Sequence, residues 1–146
     1  MCKPEEDGLP YGHLDAQLDG LDNGIPRLYL MKLDGPRPLV FDRITHHKEV
    51  SQCLGAIGDK ASTADFYLAV HAPTANGETP TRDGLKAFRI GPGTFVKMHR
   101  GTWHAGPLWG HDLERTYYNL ELSDTNVVDH HTVRVSDFAE EEKIVI

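Results

Sequence analysis

The sequence has few of the residues that announce most chemistries. Cysteine occurs twice, at Cys2 and Cys53. That excludes a disulfide framework and makes a reduced, cytoplasmic setting the expectation. No apolar run approaches the roughly 20 residues of a bilayer-spanning helix. The N-terminal stretch has no apolar signal core, and the expectation is a chain without an organelle transit peptide. Cations are scarce: 15 Lys and Arg stand against 22 Asp and Glu, a net charge of −7. Such a chain, without a basic cluster, is a poor partner for nucleic acid or an anionic membrane. Neither a G-x-G-x-x-G loop nor a P-loop occurs. Helical periodicity over three turns is missing, and only Asp137 to Lys143 offers a marginal turn or two.

What is present is a chain of 146 residues, 39% apolar, enough for one domain with a real core. Residues 1–25, with Gly8, Pro10, Gly12, Gly20 and Gly24, read as an irregular N-terminal arm, and 26–146 as a single domain. Short apolar stretches then alternate with Gly and Pro turns. Strands are expected over Arg27–Leu33, Leu39–Ile44, Gln52–Ile57, Phe66–His71, Leu85–Ile90, Thr94–Met98, Thr116–Leu122 and Thr132–Val135. This spacing predicts an all-β sandwich or barrel. Nine histidines in such a chain point to imidazole chemistry.

The informative segment is Gly93-Thr-Phe-Val-Lys-Met-His99-Arg100-Gly101-Thr102-Trp103-His104. If Thr94–His99 and the residues from Trp103 are consecutive strands, His99 and His104 flank one turn and both can point into a barrel mouth. The segment resembles the second cupin motif, G-x5-P-x-G-x2-H, through Gly93, Gly101 and His104, with His99 at the proline position. Upstream, His47 and Gln52 match the second histidine and the glutamate of the first motif, H-x-H-x3–4-E, while Thr45 replaces its first histidine. The resemblance implies a cupin-like double-stranded β-helix, a jelly-roll barrel. A metal held by such a chain (Mn, Zn or Fe) would use His47, Gln52 and His104, a weak donor set, so no cofactor is required by the favoured reading.

A narrower resemblance runs from about residue 10 to about residue 135. His47…Gln52, Gly101-Thr-Trp-His-Ala-Gly-Pro-Leu108, Leu85-Lys-Ala-Phe88 and Tyr118-Asn-Leu-Glu-Leu-Ser…Asn126-Val-Val-Asp129 resemble the ureidoglycolate lyase family, most closely its plant-type branch. That implies a homodimer cleaving ureidoglycolate, a small ureido acid, to glyoxylate and urea. Breaking the C–N bond of a carbinol-urea needs a base for the hydroxyl proton and an acid for the leaving nitrogen. His99 or His104 is the expected base and His47 the acid, the assignment remaining open. Gln52 would bond the ureido group, Arg100, Lys97 or Arg27 the carboxylate, and Trp103 would form a wall. Tyr118 and Glu121 complete the substrate-binding set, although Asn119 and Glu121 share one face of their strand and Tyr118 takes the other. Where the bacterial pattern has Asp-Arg late in the chain, Glu121-Leu122 stands here. The competing readings are a metal-dependent cupin enzyme using His47, His104 and either His99 or Glu121, and a non-catalytic cupin that binds a small molecule. His46, His71, His130 and His131 read as structural, as do His13 and His111.

Overall fold

The structure, a computed structural model, describes residues 16–58, 65–75, 78–110 and 114–146. Eleven strands are seen among them: β1 Pro26–Leu33, β2 Val40–Phe41, β3 Arg43–His46, β4 Gln52–Ile57, β5 Phe66–His71, β6 Lys86–Ile90, β7 Phe95–Met98, β8 Trp103–His104, β9 Arg115–Leu122, β10 His131–Arg134 and β11 Ile144–Val145. The single α-helical turn described, α1, covers Thr125–Val128. The expected all-β class holds. No helix among the described residues is long and apolar enough to cross a membrane.

The strands form two antiparallel sheets, ordered β1-β9-β4-β7 and β10-β3-β8-β5-β6, with β2 and β11 pairing as a separate ribbon. Sequence periodicity places most strands within a residue of their observed ends. The exceptions have physical causes. The expected strand Leu39–Ile44 is two strands, because β2 pairs with β11 and β3 with β10 and β8. The marginal helix expected over Asp137–Lys143 is not formed. A 3-10 turn at Val135–Asp137 precedes it, and the chain then returns to pair β11 with β2.

Period-two alternation sorts the side chains. From β5, Phe66 and Leu68 pack with Leu54, Ile90, Trp109 and Tyr117 in a core that both sheets share. Ala69, next along β5 and of opposite parity to Leu68, joins Ile44, Trp103, Val135 and Ile144 in a second core behind the five-stranded sheet. In the expected N-terminal arm, residues 1–15 lie outside the described residues. Asp19 docks on Ser51 by three hydrogen bonds through its backbone, of 2.8, 2.9 and 3.2 Å. His13, His111 and Cys2 also lie outside.

Candidate active site

At one end of the space between the sheets, packing gives way to a cavity of about 210 Å³, small against the usual range of roughly 300–1,000 Å³ for ligand pockets. The alternation explains its lining. On β3 and just beyond it, Ile44 and His46 face the second core, which leaves Thr45 and His47 for the cavity. On β8, Trp103 faces that same core and His104 the cavity. From the other sheet, β1 contributes Tyr29 and Met31, β4 Gln52 and Leu54, and β9 Asn119 and Glu121. The segment after β9 adds Asn126 and His130.

His47 and His104 face each other with ring centroids 5.5 Å apart. His47 Nδ1 lies 2.6 Å from the Asp129 carbonyl oxygen, and His104 Nδ1 lies 3.1 Å from that of Thr102. A carbonyl only accepts, so Nδ1 carries the proton in both rings and Nε2 is left as the acceptor. Burial pushes the His104 pKa down to about 4, only partly opposed by its bond to Thr102, so its lone pair is available throughout the neutral range. His130 is exposed at the rim, its ring 5.6 Å from His47, and partial loss of solvent on its inner side, followed by the neighbouring His47, lowers its pKa.

The opposite wall is a saturated carboxylate network. Glu121 is fully buried. Its Oε1 accepts from Arg27 Nη2 at 2.7 Å, Asn126 Nδ2 at 2.9 Å and Tyr29 OH at 3.1 Å. Its Oε2 accepts from Asn119 Nδ2 at 3.2 Å and Gln52 Nε2 at 3.3 Å. Gln52 Nε2 also donates to Asn119 Oδ1 at 3.0 Å. Because a carboxylate takes only donors, the Gln52 amide is oriented, and its Oε1 is left buried without a partner.

Of the residues singled out from sequence, His47, His104, Gln52 and Glu121 meet here. The others do not line this cavity. His99 is exposed and borders a neighbouring groove, since β7 and β8 enter different sheets and the intervening turn separates its two ends. That turn is closed by Thr102 N–H to the His99 carbonyl, with Gly101 at φ 75°, a conformation that favours glycine. Arg100 donates to the Lys48 carbonyl at 2.7 Å on the surface. Lys97 pairs with Asp19 at 3.0 Å. Trp103 is buried behind β8, donating to Thr74 Oγ1 at 3.1 Å and stacked at 3.9 Å on His46. Tyr118 stands on the outer face of β9. Arg27 is committed to Glu121, and Glu121 itself organises the wall because both its oxygens are engaged.

Sequence reasoning missed Tyr29, Asn126, His130 and the anchoring role of Asp129. Tyr29 was accessible: it shares strand parity with Arg27 and Met31. Asn126 and Asp129 stand in a segment that carries the family resemblance, but no periodicity or spacing points to their contacts. Besides holding His47 through its carbonyl, Asp129 accepts the Lys48 and Glu49 N–H groups with its carboxylate, both at 2.8 Å, so one residue ties the post-β9 segment to the end of β3. As a metal centre, the expected set His47, Gln52 and His104 offers two imidazoles and one neutral amide oxygen, poorer than Mn, Zn or Fe sites require. Among the described residues, no group of three or more His, Cys, Asp or Glu is arranged to hold a metal ion.

The chain matches no family model and no curated protein.

Proposed function

We propose that this protein is a carbon–nitrogen lyase that cleaves a carbinol-urea to an aldehyde and urea, with ureidoglycolate, giving glyoxylate, as the substrate the family resemblance suggests. The fold proposed with it is the cupin double-stranded β-helix, of which two facing antiparallel sheets are the coarser expression. The observation that carries the reading is the facing pair His47 and His104, each with Nδ1 bonded to a backbone carbonyl and Nε2 left as a proton acceptor.

In this reading, His47 Nε2 takes the carbinol hydroxyl proton. The bond from His47 Nδ1 to the Asp129 carbonyl holds the ring in place while Nε2 takes and returns the proton. As the C–N bond breaks, its electron pair leaves with nitrogen, the carbinol carbon becomes a carbonyl, and the same imidazolium returns the proton to that nitrogen. Urea and aldehyde leave with no net proton change. His104, held neutral by burial, accepts a hydrogen bond from the substrate and orients it between the rings. No step requires a metal, and none is assigned to one. A cytoplasmic homodimer belongs to the same proposal. The outer face of the four-stranded sheet supports the dimer: Leu28 is 66% exposed, Leu30 61%, Tyr118 52% and Phe95 50%.

The test is product analysis with ureidoglycolate, with and without EDTA, following glyoxylate, urea and ammonia separately. Equal glyoxylate and urea, unchanged by chelator and lost in His104→Ala with folding intact, is the expected result. Ammonia in place of urea, or no turnover, overturns it.

A further inference from the structure

The side-chain donors of Tyr29, Gln52, Asn119 and Asn126 that line the cavity are given to Glu121, which leaves acceptors facing it and bears on the charge of the molecule it takes. Gln52 Oε1 is buried without a partner, and its orientation is fixed because Nε2 donates to Asn119 and Glu121. His47 and His104 present acceptor nitrogens once their Nδ1 protons are given to carbonyls. Glu121 adds a buried carboxylate. No Lys or Arg occurs among the described lining residues. The cations around the cavity are engaged elsewhere: Arg27 with Glu121, Lys97 with Asp19, Arg37 with the Pro107 carbonyl at 2.8 Å and Arg100 with the Lys48 carbonyl.

We infer that the cavity binds an uncharged carbamoyl compound, with the N–H groups of its urea end donating to Gln52 Oε1 and the two imidazoles, and that it discriminates against congeners bearing a carboxylate. The inference rests on the lyase reading for the identity of the urea group and narrows its substrate class. The physical basis is twofold. An unpartnered buried acceptor is costly until a donor reaches it, so a urea N–H gains more at Gln52 than it would in water. A second carboxylate brought beside Glu121 meets like charge at low dielectric, with the Arg27 guanidinium already bonded to Glu121 through Nη2 and its partnerless Nε outside the cavity lining. The substrates favoured are thus neutral carbinol-ureas, R–CH(OH)–NH–CO–NH2, in which R bears no negative charge. Ureidoglycolate would be cleaved with a raised KM.

Two unreactive probes of nearly equal size separate charge from shape: N-carbamoylglycinamide, which is neutral, and N-carbamoylglycine, which is anionic. Calorimetric titration of the full-length protein at pH 7.5 is expected to give affinity for the amide at least about tenfold above that for the acid. Gln52→Met, checked for folding by its melting curve, is expected to lose at least about tenfold in affinity for the amide. Should that variant not fold, the wild-type comparison decides alone. Equal or tighter binding of the acid overturns the inference, as does failure of both probes to bind. The outcomes are separable from those of the lyase test. Preference for the amide without turnover of any carbinol-urea keeps this inference and removes the lyase. Efficient ureidoglycolate cleavage with tight binding of the acid does the reverse.

Discussion

On its inner face the four-stranded sheet presents Arg27, Tyr29, Gln52, Asn119 and Glu121; on its outer face the same strands present Leu28, Leu30, Cys53 and Tyr118, with Phe95 from β7. An antiparallel sheet with one solvated side usually carries its apolar residues inside and its polar ones outside. Here one end of the sheet inverts that order, while the other end, with Leu54 and Tyr117 in the shared core, keeps it. The inversion supports the proposed ligand site at the polar end, since such an end is a poor choice for stability alone. A buried carboxylate with one guanidinium and four neutral donors is a weak source of folding energy compared with apolar packing. The apolar outer face, in turn, supports the proposed contact with a second copy.

The largest effect expected comes from breaking the inner network. Glu121→Ala removes the carboxylate that five donors share and leaves Arg27 without its charged partner, so unfolding free energy from urea denaturation should fall by about 3–5 kcal/mol. A loss below about 1 kcal/mol would show that the network does not organise the wall. His47→Ala is next and acts on activity, because it removes the proposed proton carrier: urea release should fall about 100- to 10,000-fold, read from initial rates with the melting curve as control. A near-native rate would end the two-histidine reading.

A third expectation sharpens the contrast between the cavity and the core behind it, since a neutral histidine lies on each side. Burial holds both His46 and His104 at a pKa of about 4, against 6.5 for the free side chain. Between those values the unfolded chain binds protons that the folded chain refuses. Stability is therefore fully present above pH 6.5 and declines as pH falls toward 4. Melting temperature against pH should show this slope, and His46→Phe, which keeps a ring against Trp103, should flatten it in part. The smallest effect is on the outer face. Tyr118→Lys should leave the fold unchanged while light scattering shifts from dimer toward monomer; an unchanged mass would remove this face as the contact.

Legibility in the sequence followed range of interaction. Strand periods are local, so Gln52–Ile57 and Phe66–His71 were readable at their observed ends. The alternation along β9 separates Asn119 and Glu121 from Tyr118. Motif spacing groups His47, Gln52 and His104 as candidates, and all three line one cavity. His99 stands apart from that cavity because residues adjacent across a turn part when β7 and β8 enter different sheets. Lys97, Arg100 and Arg27 looked like free cations because their partners lie far along the chain, 94 residues for Arg27 and Glu121.

By itself the sequence determined the class of secondary structure, the parity of each strand's side chains and a scarcity of cations that the cavity shares. Only the tertiary structure decided which parity faces which layer, that β7 and β8 part into different sheets, and that the Asp129 carbonyl sets the His47 tautomer. The division has one physical reason. A period of two is fixed by the geometry of the backbone within a strand, whereas the partner of a face, a charge or a ring nitrogen is fixed by chain segments that meet only when the fold closes.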